Sequence, residues 1–307
     1  MAYVGIQYFV FLVGVEMDIS VIKRRGKKVI AIVIGSMVLP FVIGCGFGFF
    51  ALGNENLVSS AQQATYILFV GLTLTVTTFS VMAHLLSGLN LSNTEIGRLA
   101  MSCAIISETS SWILLALSIA LSRTSNNHLI FLWVILSNVA FVVFCYFIIR
   151  PIIIWMIRRT PEGEAISDFE ICLILTSVMI VGFVTDIIGT HFVIGAFVFG
   201  LIIPNGPLTI TIMEKLEDIV SGFLLPLFFL LNGIKTNIHE IPDFKNWMNL
   251  MIIIVLAYIG KFSGTVAISH FYNVPLREAI TMGLLMNTKG LVELIILNIG
   301  RDKKVSY

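Results

Sequence analysis

Residues 66–87 read YILFVGLTLTVTTFSVMAHLLS. The run is long enough to cross a bilayer, which takes about 20 apolar residues in a helix. Its middle does not suit an ordinary span, because TLTVTTFS (73–80) places four threonines and a serine where the hydrocarbon is deepest. Either these hydroxyls bond back to carbonyls of their own helix, or the helix is interrupted. A second interruption falls within 278–300, where Asn287, Thr288 and Gly290, all poor helix formers, surround Lys289 in MNTKGLVELI (286–295). Polar-interrupted spans in both halves of a chain point to a transporter site. Broken helices meeting at the midplane offer opposed dipole ends and free carbonyls to an ion.

The rest of the chain also belongs in a bilayer. Of its 307 residues 57% are hydrophobic and only 12% are charged, against about 25% charged in a soluble domain, and the mean hydropathy is +0.98. Apolar runs predict spans at 3–17, 29–52, 66–87, 97–121, 128–157, 169–187, 191–205, 218–234, 247–271 and 278–300, the first and seventh being short. The expected class is an all-α polytopic membrane protein of about 10 membrane segments, with 1–307 forming one transmembrane domain and no soluble domain. The opening MAYVGIQYFVFLVGVEMDIS lacks the basic region and cleavage site of a signal peptide, and reads as a membrane segment already under way.

The loops on one side carry eleven basic residues, Lys23, Arg24, Arg25, Lys27, Lys28, Arg98, Arg150, Arg158, Arg159, Lys215 and Arg277. The other side carries six, Arg123, Lys235, Lys245, Arg301, Lys303 and Lys304. The positive-inside rule places the first set in the cytosol. A net charge of +1 gives no electrostatic case for a nucleic-acid partner. Cys45, Cys103, Cys145 and Cys172 lie in apolar runs without paired spacing and read as small core hydrophobes. His84 and His191 lack metal-ligand spacing, HEIPD (239–243) is not a zinc-protease motif, and no nucleophile elbow or phosphate loop occurs. No enzyme, cofactor or metal centre is therefore expected.

Ionisable residues inside spans are costly and mark ion or proton paths. Three fall well inside: Glu108, Lys261 and Lys289. Glu108 sits in SCAIISETSSW (102–112), flanked by Ser107, Thr109, Ser110 and Ser111. It reads either as a structural carboxylate held by those hydroxyls or as an exchange site. Desolvation favours the proton on such a group and a nearby cation favours the charge, so the two ligands compete for it. Lys261 lies in YIGKFSGT, whose Gly260 and Gly264 form a helix-packing face. Its alternatives are a structural partner of an acid and a functional lysine–carboxylate pair. Lys289 is placed to neutralise helix ends at the second break, or to pair with Glu293 if the helix continues.

LVGVEMDISVIKRRGKK (12–28), LSNTEIGRLAMSCAIISETSSWILLAL (91–117), GAFVFGLIIPNGPL (195–208) and NTKGLVELIILNIGRD (287–302) strongly resemble the plant cation/proton exchangers, the CHX family. The resemblance runs nearly end to end. It implies a sodium/proton-antiporter-like inverted repeat with two discontinuous crossing helices, matched by 66–87 and 278–300. Family members are longer at both ends, so the chain is expected to be a truncated piece of the membrane domain. The family's ion-binding Asn-Asp pair falls on Ser107–Glu108, and its membrane lysines fall on Lys261 and Lys289. The crossing motif TSFPVLARIL reads TTFSVMAHLL here, with Ser80 for the proline and His84 for the arginine, while Thr77 and Thr78 keep hydroxyls.

The implied function is exchange of K⁺ or Na⁺ for H⁺ across a plasma membrane or endomembrane. Glu108, Ser107, Thr77 and Thr78 would bind the ion or proton, and Lys261 and Lys289 would compensate charge. Membrane lipid and a homodimer, which the family's relatives suggest, are the remaining partners. A non-transporting paralogue and a channel-like uniporter are the rival expectations.

Overall fold

A computed structural model of the chain describes residues 2–17, 27–52, 60–91, 94–122, 128–159, 167–189, 191–204, 206–235 and 244–302. Every regular element among them is helical. In chain order these are α1 (Ala2–Glu16), α2 (Lys27–Leu52), α3 (Ser60–Thr75), α4 (Phe79–Gly88), α5 (Glu95–Ser122), α6 (His128–Phe144) and α7 (Arg150–Arg159). There follow α8 (Asp168–Ile188), α9 (Phe192–Ile202), α10 (Pro207–Ile219), α11 (Leu225–Lys235), α12 (Phe244–Phe271), α13 (Leu276–Leu285) and α14 (Leu291–Asp302). A π-turn at Cys145–Ile149 carries α6 into α7, and another at Val220–Leu224 carries α10 into α11.

Among the described residues, seven helical stretches are long and apolar enough to cross a membrane: Lys27–Phe50, Tyr66–Gly88, Glu95–Leu121, Trp133–Arg159, Asp168–Ile188, Pro207–Ile234 and Trp247–Phe271. Tyr3–Glu16, Phe192–Ile202 and Leu291–Gly300 are apolar but shorter. The span expected at 218–234 begins earlier, at Pro207, a residue suited to a first helical turn. Glu214, Lys215, Glu217 and Asp218 hide this helix from a hydropathy window, yet Leu208, Ile212 and Leu216 bury one face at a spacing of four. Lys215 is thus helical, not in a loop, and pairs with Asp168 at the start of α8. Arg150 is helical too, its guanidinium 4.9 Å from the centre of the Tyr146 ring. The basic residues Lys23, Arg24, Arg25, Arg123, Lys303 and Lys304 lie outside the described residues.

The helix ends follow local chemistry. Ser167 and Glu170 form a reciprocal capping box on α8, which stops at Gly189 in the left-handed region (φ 105°). Thr94 Oγ1 accepts from the Gly97 N–H at 3.1 Å and caps α5. His191, an expected non-ligand, accepts weakly from the Val193 N–H at the start of α9.

The chain divides into two compact units, 1–19 with 127–240 and 20–126 with 241–307. In the first, α1 meets α9 where a Cβ on Gly14 would lie 3.1 Å from the Gly200 Cα. Gln7 Nε2 also donates to the Val178 carbonyl of α8 at 2.8 Å. In the second, α2 lies against α12. The Gly264 of the expected packing face touches the Gly35 carbonyl, so that any side chain there would collide with backbone. Cys103 and Cys145 are buried as expected and Cys45 is half-buried. Cys172 is exposed instead, because α8 turns Ile171, Ile174 and Val178 inward.

Candidate functional site

The second unit contains both interruptions. Helix α3 ends at Thr75 and α4 starts at Phe79, leaving Val76, Thr77 and Thr78 outside regular structure. Thr73 Oγ1 and Thr75 Oγ1 bond back to the carbonyls of Phe69 and Leu72. Thr77 does not. Its hydroxyl crosses to the second break and donates to the Met286 carbonyl at 3.0 Å. There α13 ends at Leu285 and α14 starts at Leu291. The Thr78 N–H donates to the Thr288 carbonyl at 3.3 Å, so backbone joins backbone where the breaks meet. Gly290 permits the approach: a Cβ there would lie 2.9 Å from both Thr78 Oγ1 and Val81 Cγ2.

Each end of the first break meets a charge. At a helix start the free N–H groups carry about half a positive charge, and at a helix end the free carbonyls carry about half a negative one. Thr78 is the residue that would normally cap α4, but its side chain makes no cap bond. The α5 residue Glu108 takes that place, with its Oε2 accepting from the Phe79 N–H at 2.6 Å. Glu108 is 0% exposed, the only fully buried carboxylate among the described residues. The carbonyl end of α3 is met by Lys261, also fully buried, whose Nζ donates to the Thr75 oxygen at 2.7 Å and to the Val76 oxygen. The order is ammonium, carbonyl end, gap, amide end, carboxylate. Opposite charges face each half-dipole, so the polar gap is electrostatically closed within an apolar helix packing.

Ser107 Oγ donates to Thr77 Oγ1 at 3.4 Å, a weak link between α5 and the break. Thr109, Ser110 and Ser111 donate to the carbonyls four residues back on α5. Of the four hydroxyls beside Glu108 in sequence, Ser107 is thus the one whose bond reaches the crossing.

Glu108, Ser107, Thr77, Thr78 and Lys261 therefore converge with the backbone of Met286, Thr288 and Gly290. Lys289 goes elsewhere. It pairs with Glu293, and the two side chains are 34% and 14% exposed. The expected condition for that pair, a continuous helix, is absent: Lys289 precedes α14 and Glu293 lies in its first turn. The cation on the carbonyl end of α3 is Lys261, which the sequence suggested as the partner of an acid and which bonds to backbone carbonyls instead. Asn287 leans outward, its Nδ2 3.5 Å from the Tyr258 carbonyl. Three further participants are backbone groups, the Phe79 N–H and the Thr75 and Val76 carbonyls, which no side-chain pattern announces. Thr288, expected in the second break, lies there, and its carbonyl is the acceptor for the Thr78 N–H.

Comparison with known proteins decides the family. The model for the transmembrane sodium/hydrogen exchanger matches residues 1–306. The chain belongs to the sodium/hydrogen exchanger family. It is 56% identical over 305 residues to Cation/H(+) antiporter 15 of Arabidopsis thaliana, covering 99% of this chain and 37% of that protein. Cation/H(+) antiporter 18 of the same plant is 45% identical over 306 residues, with 99% and 38% covered. The Na(+)/H(+) antiporter NhaS4 of Synechocystis is 32% identical over 298 residues, with 97% of this chain and 72% of that one covered. The chain thus spans little more than a third of the length of its plant relatives and most of the cyanobacterial one. The chain is an integral, multi-pass membrane protein, and its two broken helices meet at their interruptions.

Proposed function

We propose that this exchanger moves a monovalent cation, K⁺ or Na⁺, against protons, with residues 1–307 acting as one membrane domain and Glu108 holding cation and proton in turn. The observation that carries the proposal is the full burial of the Glu108 carboxylate on the first N–H of α4, at the crossing of the two breaks. A carboxylate taken out of water gains affinity for a proton, and a bound cation restores the preference for the charged form. Occupancy by one ligand thus lowers affinity for the other, which couples the two flows without covalent chemistry. Ser107, Thr77 and Thr78 supply neutral oxygens, Lys261 balances the carbonyl end of α3, and Lys289 compensates the Glu293 carboxylate beside the second break. Alternating access comes from movement of two helical bundles. The placement of every site residue in the second unit supports such a movement, since the ion can travel with its ligands.

The test is dissipation of a preformed pH gradient in sealed vesicles on addition of K⁺ or Na⁺, for the protein and its Glu108→Gln variant. Glutamine still accepts from the Phe79 N–H but cannot alternate between proton and cation. Cation-dependent proton movement is expected in the first and only the leak of protein-free vesicles in the second. Persistence of exchange in Glu108→Gln refutes the proposal.

A further inference from the structure

Away from the crossing, the second unit holds a cavity of about 360 Å³ at the starts of α2, α5 and α13. Lys28 of α2, Glu95 and Arg98 of α5 and Glu278 of α13 line it, with Leu99 and Val274 as apolar wall. Among the described residues none of these four charged side chains has a hydrogen bond or an ion pair. Glu95 and Glu278 stand in the first turns of their helices, where a carboxylate is favourable. That accounts for the acids and leaves Lys28 and Arg98 unanswered. Two cations and two carboxylates thus face a space and not each other, and its volume falls in the range of small-ligand sites, about 300–1,000 Å³.

The level of the cavity in the membrane narrows the ligand. Lys28, Glu95 and Arg98 stand at the beginnings of the spans Lys27–Phe50 and Glu95–Leu121, and Val274 follows the span that ends at Phe271. Tyr272 and Leu276, on either side of Val274, are exposed, and an exposed tyrosine at a span end marks the boundary between hydrocarbon and headgroups. Pockets between membrane helices at this level take lipid headgroups, anionic ones where the pocket is basic. Here two positive groups are balanced by two negative ones. A headgroup with a phosphate and a primary ammonium answers both, the phosphate accepting from Lys28 and Arg98 and the ammonium donating to Glu95 and Glu278. A quaternary ammonium has no N–H to donate and is recognised by aromatic rings, which this lining lacks.

We infer that this cavity binds the headgroup of a zwitterionic phospholipid that carries a primary ammonium, as an ethanolamine lipid does, and that the bound headgroup ties together the starts of α2, α5 and α13. The inference goes beyond the antiport proposal and does not depend on it, because it uses none of the residues at the crossing.

The test follows the thermal midpoint of the purified protein in detergent as short-chain phosphatidylethanolamine is added, with phosphatidylcholine and phosphatidylglycerol of the same chains alongside. The ethanolamine lipid should raise the midpoint, and each of the other two should need about tenfold more lipid for half the effect. Arg98→Gln removes a donor to the phosphate and Glu278→Gln an acceptor for the ammonium. Each should raise the half-maximal concentration of ethanolamine lipid about tenfold, as for loss of one hydrogen bond to a charged group. Glu278→Gln should also narrow the margin over the choline lipid, while Arg98→Gln should weaken all three. Both side chains are exposed, so the midpoint without lipid should stay near wild type; if Arg98→Gln lowers it, Lys28→Gln takes its place. Equal effects of the three headgroups, no effect of any, or wild-type affinity for the ethanolamine lipid in either variant overturns the inference. So does free phosphoethanolamine acting at the same concentration as the lipid, which would assign the cavity to a soluble ligand.

Discussion

Replacing Lys261 by methionine isolates the electrostatic closure of the first break. The side chain is fully buried, and its ammonium holds the last carbonyls of α3 through bonds to the Thr75 and Val76 oxygens. Hydrogen bonds to a charged group contribute about 1.5–3 kcal/mol each, and two orphaned buried carbonyls are costly in their own right. Against this, methionine fills much the same volume and removes the desolvation cost of a buried ammonium. The partner here is a helix end of about half a charge, not a full carboxylate, so the net loss falls near the lower end for a broken buried pair, about 3 kcal/mol. For a chain of this size that loss corresponds to a drop in thermal midpoint of roughly 6–12 °C. Heating the detergent-solubilised protein and following the soluble, monodisperse fraction reads the midpoint directly. Residues 76–78 should also exchange amide hydrogens faster, as the end of α3 frays. A Lys261→Met midpoint within about 2 °C of wild type would refute the assignment of Lys261 as the cap of α3.

Two other substitutions probe close approaches. Gly290→Ala places a methyl 2.9 Å from Thr78 Oγ1 and from Val81 Cγ2, an overpacking worth about 1–3 kcal/mol. It should lower the thermal midpoint and raise the cation KM together, and an unchanged pair of values would mean that the breaks do not meet at Gly290. Gly264→Val drives a branched side chain into the Gly35 carbonyl and towards Leu39 Cβ, costing about 1–3 kcal/mol or more. Because α12 also carries Lys261, thermal stability should fall further than for a valine at Gly222, where a side chain meets open space; equal midpoints would disprove the contact between α2 and α12.

The sequence by itself determined that the chain is a bundle of membrane helices and where its two interruptions lie. Both properties are local. Bilayer thickness sets the length of an apolar run, and the four threonines, Asn287 and Gly290 weaken a helix wherever they stand. It also marked Glu108 and Lys261, since an ionisable side chain in hydrocarbon is conspicuous without any knowledge of its neighbours. The helix at Pro207 was illegible because four charges on its outer face outweighed a buried stripe of three residues. Only the tertiary structure decided who meets whom at the crossing. Lys261 reaches carbonyls 185 and 186 positions away, Thr77 reaches one 209 away, and Glu108 serves a helix that is not its own. The partners in these bonds are backbone N–H and C=O groups, which every residue other than proline carries alike. No side-chain pattern can therefore name them: they become distinct only when a helix breaks, leaves them unpaired, and packing brings one particular charge alongside.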